Sequence, residues 1–436
     1  MIGICTVGTL RLRSRRYETG DFTMLRKLLL SSAFALACVA PMGAAHAKGY
    51  AVLYSFCSQE NCTDGLWPYA GVIEDANGNL FGTTGAGGIA SCRLYGCGTV
   101  FKLAPDGTET VLHAFSASED GSGPYGGVIA DAAGNLYGTT ATGGSSGCGG
   151  IDYGCGTLFQ VQPDGKEKVV YAFGGNNDGA YPLAGVVADR KGNFYGTTSD
   201  GGGGTQCIVQ FGGCGTVFRV TPRGREKVLY AFTGGSDGAN PQAALVIDRA
   251  GNLFGTAAYG GNTSACNQGD SPGCGTVFEV MADGTEKTLY AFDGGNDGWA
   301  PVASLIEDKD GNLYGATQAG GSTTACNGVG CGIVFEIAPD GTENILYDFT
   351  GGGDGAHPSA GLVRDSTGNL YGTTQAGGTS GEGTVFKLAS GGKLSVLNTF
   401  NGAGDAPVAN LLAGAHRTLY GTTEFGSSGT VFKVKK

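Results

Sequence analysis

The chain is 436 residues long and contains 84 glycines, while aromatic residues make up 9% and charged residues only 15% of it. This mixture suits many short strands joined by tight turns, and it excludes a fold built from long amphipathic helices. The formal net charge is −11. Nucleic acid is therefore not an expected partner, because an acidic chain repels phosphate backbones.

The N-terminal segment has the order of a secretory signal. Residues 24–27 read Met-Leu-Arg-Lys, an apolar run follows over 28–40, and residues 45–47 read Ala-His-Ala, which is the charged, hydrophobic and small-residue sequence of such signals. The apolar run is 13 residues long, whereas a membrane-spanning helix needs about 20. We predict a signal peptide at 24–47 after an upstream extension at 1–23. The mature chain is expected to be exported, periplasmic or extracellular, without a transmembrane segment.

Internal repetition dominates the remaining sequence. One motif reads Gly-Asn-Leu-Tyr/Phe-Gly-Thr-Thr or a close variant, and a second reads Gly-Thr-Val-Phe or a close variant. Each motif occurs seven times. The glycine after the aromatic residue of the first motif is Gly82, Gly138, Gly196, Gly255, Gly315, Gly372 and Gly421. The second motif begins at Gly98, Gly156, Gly215, Gly275, Gly332, Gly383 and Gly429.

Each unit contains four short runs typical of β-strands. In one unit they are Ala244 to Asp248, Asn252 to Thr256, Gly275 to Val280 and Glu286 to Phe292. Turn sequences separate them, namely Asp-x-x-Gly-Asn, a longer Gly-rich loop, and Ala-Asp-Gly or Pro-Asp-Gly. Seven units of four antiparallel strands predict an all-β fold, a seven-bladed β-propeller over residues 48–436. A parallel β-helix would need shorter repeats.

The ends of the repeat region predict how the ring closes. The last unit stops at Val431-Phe432-Lys433-Val434 without a fourth strand, and the missing strand type is found instead at residues 52–56, Val-Leu-Tyr-Ser-Phe. We expect this N-terminal strand to join the last blade, because closure removes the exposed edges that an open array would leave.

The repeats resemble those of the GloVer tandem-repeat family of exported bacterial proteins. The likeness is carried by residues 248–255, Asp-Arg-Ala-Gly-Asn-Leu-Phe-Gly, by residues 275–278, Gly-Thr-Val-Phe, and by their equivalents in the other units. It covers about Gly49 to Lys436. The resemblance implies a surface or secreted repeat protein and carries no assigned activity.

Twelve cysteines remain after removal of the predicted signal, and they fall into close pairs. An even number, local pairing and export together predict disulfides. Zinc is the rival interpretation, but the spacings do not repeat Cys-x-x-Cys and few histidines are present, so no metal site is predicted among them. The predicted pairs are Cys57/Cys62, Cys92/Cys97, Cys148/Cys155, Cys207/Cys214, Cys266/Cys274 and Cys326/Cys331.

The connections between units repeat Asp-Gly near a proline. Asp237-Gly238 before Pro241 is one example. A ring of aspartates could coordinate calcium, which prefers oxygen ligands, so calcium is the one cofactor considered. The structural interpretation is favoured, because Asp-Gly is turn chemistry in which the carboxylate accepts hydrogen bonds from nearby backbone N–H groups.

Four rings in these connections are the candidate ligand-binding residues: Trp67, Tyr181, Trp299 and His357. Such rings could stack on sugar rings or peptide side chains. The alternative is that they only cover the crossings between blades. The interpretation that follows is a monomeric binding scaffold for an unidentified protein or glycan.

Two other function classes stay open. No Ser-His-Asp spacing, phosphate-binding Gly loop or His-Glu-x-x-His motif is recognisable, so no catalytic residue is predicted. A propeller lyase or hydrolase acting on a polysaccharide or small cyclic substrate would need a non-repeated cluster, for which His357 with Glu307 or Arg364 is a weak candidate. A structural cell-envelope protein is the third possibility.

Overall fold

The computed structural model describes residues 49–436 except 89–94, 118, 145–147, 149–153, 205–206, 208–211, 263–265, 267–271, 323–324, 403–405 and 425–427. The predicted extension and signal peptide, like Cys92, lie outside the described residues. Within them, no helix is both long and apolar enough to span a bilayer.

The described strands form seven antiparallel sheets of four strands each, which are the blades of a propeller. Blade 1 contains β2 (Ile73–Glu74), β3 (Leu80–Thr84), β4 (Thr99–Leu103) and β5 (Glu109–Ala114). Blade 2 contains β6 (Ile129–Ala130), β7 (Leu136–Thr140), β8 (Thr157–Val161) and β9 (Glu167–Ala172). Blade 3 contains β10 (Val187–Ala188), β11 (Phe194–Thr198), β12 (Thr216–Val220) and β13 (Glu226–Ala231).

The same order continues around the ring. Blade 4 contains β14 (Val246–Ile247), β15 (Leu253–Ala257), β16 (Thr276–Val280) and β17 (Glu286–Ala291). Blade 5 contains β18 (Ile306–Glu307), β19 (Leu313–Thr317), β20 (Ile333–Ile337) and β21 (Glu343–Asp348). Blade 6 contains β22 (Val363–Arg364), β23 (Leu370–Thr374), β24 (Thr384–Leu388) and β25 (Leu394–Thr399). Two one-turn 3₁₀ helices, Glu60–Cys62 and Cys326–Gly328, lie in the connections.

Blade 7 joins the two ends of the repeat region. It contains β26 (Leu412–Gly414), β27 (Thr418–Thr423), β28 (Thr430–Lys435) and the N-terminal strand β1 (Ala51–Ser55). β1 is antiparallel to β28, with Ala51 opposite Lys433 and Ser55 opposite Thr430. The predicted closure of the ring by the N-terminal strand is confirmed.

The two repeated motifs meet inside each blade. The glycine after the aromatic residue lies on the second strand, opposite the phenylalanine of Gly-Thr-Val-Phe on the third, as Gly138 lies opposite Phe159. A Cβ at these seven glycines would come 2.5–2.7 Å from the Cζ atom of that ring. Glycine is therefore required because the ring covers the backbone at this point.

Phenylalanines also connect neighbouring blades. The phenylalanine that follows each fourth strand packs edge to face on the phenylalanine of the third strand in the next blade, with ring centroids 4.9–5.3 Å apart. All fourteen rings are buried. We call this set the Phe ladder: Phe56/Phe101, Phe115/Phe159, Phe173/Phe218, Phe232/Phe278, Phe292/Phe335, Phe349/Phe386 and Phe400/Phe432.

Threonine hydroxyls of the second strands join neighbouring blades around the axis. Thr139, the first threonine of the Gly-Thr-Thr in blade 2, donates to the carbonyl oxygen of Ala184 in blade 3 at 2.7 Å. Equivalent bonds join other blades, including Thr422 of blade 7 to Ala70 of blade 1 at 3.0 Å. Each such hydroxyl is buried, so the bond also removes the cost of an unpaired polar group.

The Asp-x-x-Gly-Asn sequences form the hairpins between first and second strands. In blade 2, Asp131 Oδ1 accepts hydrogen bonds from the backbone N–H groups of Ala133 and Asn135, each at 2.9 Å. Its Oδ2 accepts from the Asn135 side chain at 2.7 Å. These bonds outweigh burial and lower the pKa of the Asp131 carboxyl. The carboxylate is thus used to fix a turn.

Candidate functional site at the axial mouth

One face of the propeller carries the disulfides. The connections after each second strand and after each fourth strand emerge together on this face, and single β-bridges join them, such as Ala180 with Asp200. We call it the disulfide face. Cys97 is disulfide-bonded, and its predicted partner lies outside the described residues. The other five predicted pairs are confirmed: Cys57–Cys62, Cys148–Cys155, Cys207–Cys214, Cys266–Cys274 and Cys326–Cys331.

The Asp-Gly sequences of this face use their carboxylates internally. Asp237 accepts a hydrogen bond from the Tyr230 hydroxyl at 2.9 Å, and it accepts from the backbone N–H and the hydroxyl of Thr233 at 2.7 and 2.6 Å. Tyr171 and Asp178 form the corresponding bond in the preceding blade at 2.9 Å. These contacts are the ones expected if the Asp-Gly sequences serve to fix turns. Calcium binding stays a prediction.

The four sequence-predicted rings occupy two kinds of position. Trp67, Tyr181 and His357 lie directly before the repeated proline in the connections that lead into blades 1, 3 and 6, all with positive φ angles. Trp299 lies one residue earlier in its connection and forms a bridge with Ala319. All four are partly buried. Trp67, Tyr181 and His357 therefore occupy equivalent positions in different blades around the axis. Trp299 occupies a different, non-equivalent position in its connection.

Three of these side chains have a described contact on their own side of the face. Trp67 packs against Tyr95, with ring centroids 5.2 Å apart. Trp299 Nε1 donates to the carbonyl oxygen of Val329 at 3.3 Å, and His357 Nδ1 donates to the carbonyl oxygen of Gln318 at 2.9 Å. Their use in binding stays a prediction.

Two tyrosines and a glutamate meet where the axis opens on the disulfide face. The rings of Tyr69 and Tyr125 pack edge to face, with centroids 4.9 Å apart. A Cβ at Gly85 would lie 2.7 Å from the Tyr69 ring and 2.8 Å from the Tyr125 ring, so glycine gives both rings room. The Tyr69 hydroxyl lies near enough to the Glu424 carboxylate for each group to affect the pKa of the other, and Glu424 is only 6% exposed. We call this group, with Tyr181, the axial mouth.

Burial controls the protonation of these groups. It raises the pKa of Glu424 to about 7, although the interaction with the Tyr69 hydroxyl opposes the shift. Burial and the nearby Glu424 charge raise the pKa of the Tyr69 and Tyr125 hydroxyls. The pKa of the Tyr181 hydroxyl is raised as well, chiefly by burial and further by Tyr125 and Asp200. Near neutral pH, Glu424 is the group of this cluster that can exchange a proton.

Amide side chains occupy further positions around the opening. Gln318 Nε2 donates to Gln375 Oε1 at 3.3 Å, across the boundary of blades 5 and 6. In blade 4, Gln242 donates to Asn240, and Asn240 Nδ2 donates to the carbonyl oxygen of Ser199 at 3.1 Å. The side of the opening away from the tyrosines is therefore lined with uncharged hydrogen-bonding groups.

A cavity of about 380 Å³ lies on the axis below the mouth, and residues from all seven blades line it. Tyr69, Tyr125 and Gln242 lie at its wall together with small residues of the first strands, such as Gly71 and Gly185. Ligand sites in proteins occupy roughly 300–1,000 Å³. The cavity is therefore large enough for one small group of a ligand.

The connections of the disulfide face are strongly acidic in sequence. Those after the second and fourth strands contain fifteen Asp or Glu residues and one basic residue, Arg93, which lies outside the described residues. The other Lys and Arg residues after Gly49 lie in strands, in the connections of the opposite face or, for Lys436, directly after the last strand. The electrostatic field of the disulfide face is therefore negative and unfavourable for anions.

Sequence reasoning missed Tyr69, Tyr125 and Glu424. For Glu424 a signal was available, because the residue after each Gly-Thr-Thr sequence or its variant differs between blades while the motifs around it repeat. Its identities are Gly85, Ala141, Ser199, Ala258, Gln318, Gln375 and Glu424. Packing positions repeat because every blade needs them, so variation at one ring of positions indicates a role outside packing.

The weak candidate cluster of His357 with Glu307 or Arg364 is wrong. His357 lies in the connection before β22, on the disulfide face, whereas Arg364 is the last residue of that strand and leads into the hairpin of the opposite face. Glu307 ends β18, the equivalent strand of blade 5. Arg364 Nη2 pairs instead with Asp308 Oδ2 at 3.6 Å, on the face opposite the disulfides.

Seven four-stranded blades around an axial cavity define a seven-bladed β-propeller. The chain belongs to the Gloeobacter/Verrucomicrobia repeat family, whose profile matches residues 43–210, 149–329 and 211–434. This confirms the family predicted from the repeats. No curated protein matches the sequence.

Solved structures share the fold at low sequence identity. One is the extracellular domain of a candidate one-component system from B. thetaiotaomicron, with 9% identity and a TM-score of 0.51; the match covers 88% of this chain and 40% of that one. The oligogalacturonate lyase of Vibrio parahaemolyticus is 10% identical with a TM-score of 0.53, covering 88% and 93%. An oligogalacturonate lyase in complex with manganese is 12% identical with a TM-score of 0.52, covering 89% and 98%. These similarities concern the fold alone.

Proposed function

We propose that this chain is an exported binding protein that recognises its ligand at the axial mouth of the disulfide face. The observation that carries the proposal is the non-repeated cluster of Tyr69, Tyr125 and Glu424 over the axial cavity. The Phe ladder and the blade hairpins repeat because they hold the ring together. The cluster at the mouth breaks this symmetry and places a buried carboxyl group under two partly exposed rings.

Export is supported by three observations. The sequence over 24–47 has the order of a signal peptide, five disulfides lie in the described structure, and one solved propeller of the same fold is an extracellular domain. Disulfides persist in oxidising compartments. Expression of the full chain in a Gram-negative host, followed by fractionation and N-terminal sequencing, tests this point. Mature protein beginning near Lys48 outside the cytoplasm is the expected result.

Binding is tested with glycan and peptide arrays probed by the purified mature protein. Replacement of both Tyr69 and Tyr125 by Leu should abolish binding to any ligand found, because it removes both rings at the mouth. Ile345→Ala, on the outer strand β21 where the side chain is 44% exposed, is the matched control. Retained binding in the double variant would refute the proposed site. The double variant Trp67→Ala/Trp299→Ala tests the rings predicted from sequence in the same experiment.

A lyase or hydrolase is the second candidate, and Glu424 is the observation that favours it. A carboxyl group with a pKa of about 7 is suited to general acid or base catalysis near neutrality. Turnover of arrayed polysaccharides and lactones, measured for the mature protein and for Glu424→Gln, separates catalysis from binding. Turnover lost in the variant would establish an enzyme. Failure to bind or convert any probe would favour the structural envelope role.

A further inference from the structure

The proposed function leaves the ligand open, and the following inference rests on it. We propose that the axial mouth binds a saccharide that carries a free, positively charged amino group. Three features of the mouth support this ligand: the charge of the disulfide face, the arrangement of rings and carboxyl group, and the amides on the far side of the opening.

The negative charge of the disulfide face favours a positively charged ligand. Among the described residues, the connections of the disulfide face contain twelve Asp or Glu residues and no Lys or Arg. Such a field raises the local concentration of cations and repels anions at distances up to a Debye length, about 8 Å at physiological ionic strength. Acidic saccharides, including galacturonate polymers, are therefore unsuitable ligands here, although two lyases that act on them share the fold.

The rings and Glu424 form a site for an ammonium group. A cation over an aromatic face within about 6 Å of its centroid is attracted by the ring, and Tyr69 and Tyr125 are both partly exposed at the cavity wall. Glu424 lies behind them, close to the Tyr69 hydroxyl. An ammonium group entering the cavity would therefore meet two rings and, just behind them, a carboxylate.

The amides distinguish a saccharide from a bare amine. Gln242 with Asn240 and Gln318 with Gln375 present donors and acceptors on the side of the opening away from the tyrosines. Sugar hydroxyls both donate and accept, so side-chain amides are suitable partners for them. A sugar ring also offers an apolar face that can stack on a tyrosine.

Glu424 couples binding to pH. In the free protein its buried carboxyl group is half protonated near pH 7, and a bound cation stabilises the ionised form. The described titratable groups facing it are Tyr69 and Tyr125, whose raised pKa values keep them neutral in this range. Affinity for a permanently charged cation should therefore rise about tenfold between pH 6 and pH 8, as the ionised fraction of Glu424 grows.

The ligand class is tested by calorimetry with three disaccharides and the mature protein. The probes are glucosamine disaccharide, its fully N-acetylated form and digalacturonate. We expect the free amine to bind at least tenfold more tightly than the acetylated form, and digalacturonate not to bind. Equal affinity for the first two, tighter binding of digalacturonate, or a preference for Lys-containing peptides over all three sugars would overturn the inference.

The coupling to pH is tested with tetramethylammonium chloride, whose charge does not titrate. Affinity should rise about tenfold from pH 6 to pH 8 in the unmodified protein, and Glu424→Gln should bind weakly with no such rise. Glu424→Asp should restore part of the pH dependence. Equal melting temperatures of the variants establish that they are folded. A pH dependence unchanged in Glu424→Gln would overturn the assignment of this carboxyl group.

The two proposals fail in different ways. If a neutral or acidic ligand binds and the Tyr69→Leu/Tyr125→Leu variant loses it, the mouth is the binding site but the ligand class is wrong. If the amine disaccharide binds equally well to that double variant, the site itself is wrong and both proposals fall.

Discussion

Phe56, just after the N-terminal strand, packs edge to face on Phe101 of blade 1, with ring centroids 4.9 Å apart. The contact belongs to the Phe ladder, and its geometry matches that of Phe115 on Phe159 between blades 1 and 2. The strand that closes the ring therefore makes the same interface as a strand within an uninterrupted repeat. By this measure, the blade interface at which the propeller closes is packed as well as an interface within the repeats.

Phe56→Ala should destabilise the protein strongly. The Phe56 side chain is only 3% exposed. Replacing a buried phenylalanine by alanine lowers the free energy of unfolding by about 3–5 kcal/mol, because burial is lost and a cavity forms. Val52→Ala in the same strand is the control, since Val52 is 44% exposed and should change stability by less than about 0.5 kcal/mol. Urea unfolding measures both. A small effect of Phe56→Ala, or retention of folded β-structure after deletion of Lys48 to Cys57, would contradict closure by β1.

Gly138→Ala should destabilise by overpacking. The added Cβ would lie 2.7 Å from Phe159 Cζ, and forcing one carbon into a packed interior costs about 1–3 kcal/mol. Gly391→Ala is the matched control, because no atom lies within 4 Å of a Cβ there and its φ is not positive. Chemical denaturation of the two variants compares them directly. Equal stabilities would show that the Gly and Phe motifs are not coupled by packing.

Stability should fall as the pH rises through 7. Burial, with the charge of an Asp from the preceding connection, raises the pKa of three Glu at the start of fourth strands from 4.5 to about 7: Glu109, Glu226 and Glu343. A folded pKa above the unfolded one gives stability that is fully present below pH 4.5 and is lost as the pH rises through 7. Melting temperatures measured from pH 5 to pH 8 should therefore decrease.

Glu226→Gln isolates this effect, because the amide keeps the shape and removes the charge facing Asp178. The variant should show a smaller decrease in melting temperature between pH 6 and pH 8 than the unmodified protein. Lys227→Gln on the neighbouring position is the control and should keep the full decrease. A melting temperature that rises across this range would contradict the assigned direction.

Reduction of the disulfides should lower stability without opening the ring. Each described disulfide closes a loop with a sequence separation of only 5 to 8 residues, and such small loops give about 2 kcal/mol each in the chain-entropy model. The Phe ladder and strand pairs are independent of them. Circular dichroism with and without dithiothreitol at 25 °C should show the same β-signal and a lower melting temperature. Loss of the β-signal on reduction would show that the disulfides hold the fold.

The sequence was sufficient for the features that every blade repeats. The motifs that contain Gly138 and Phe159 recur in all seven units, so the units could be recognised as equivalent blades. The missing fourth strand of the last unit identified residues 52–56 as its replacement. The cysteine pairs were readable because their partners are close in sequence. Each of these features is either local in sequence or repeated in every unit, so the sequence pattern is enough to predict it.

Only the tertiary structure determined the axial mouth. Tyr69 and Glu424 lie near opposite ends of the repeat region, and closure of the ring is what brings their side chains into contact. Neither residue belongs to a motif, because a site at the axis takes one side chain from each of several blades. Periodic packing is encoded in every repeat, whereas a site that occurs once is formed by the folded ring as a whole.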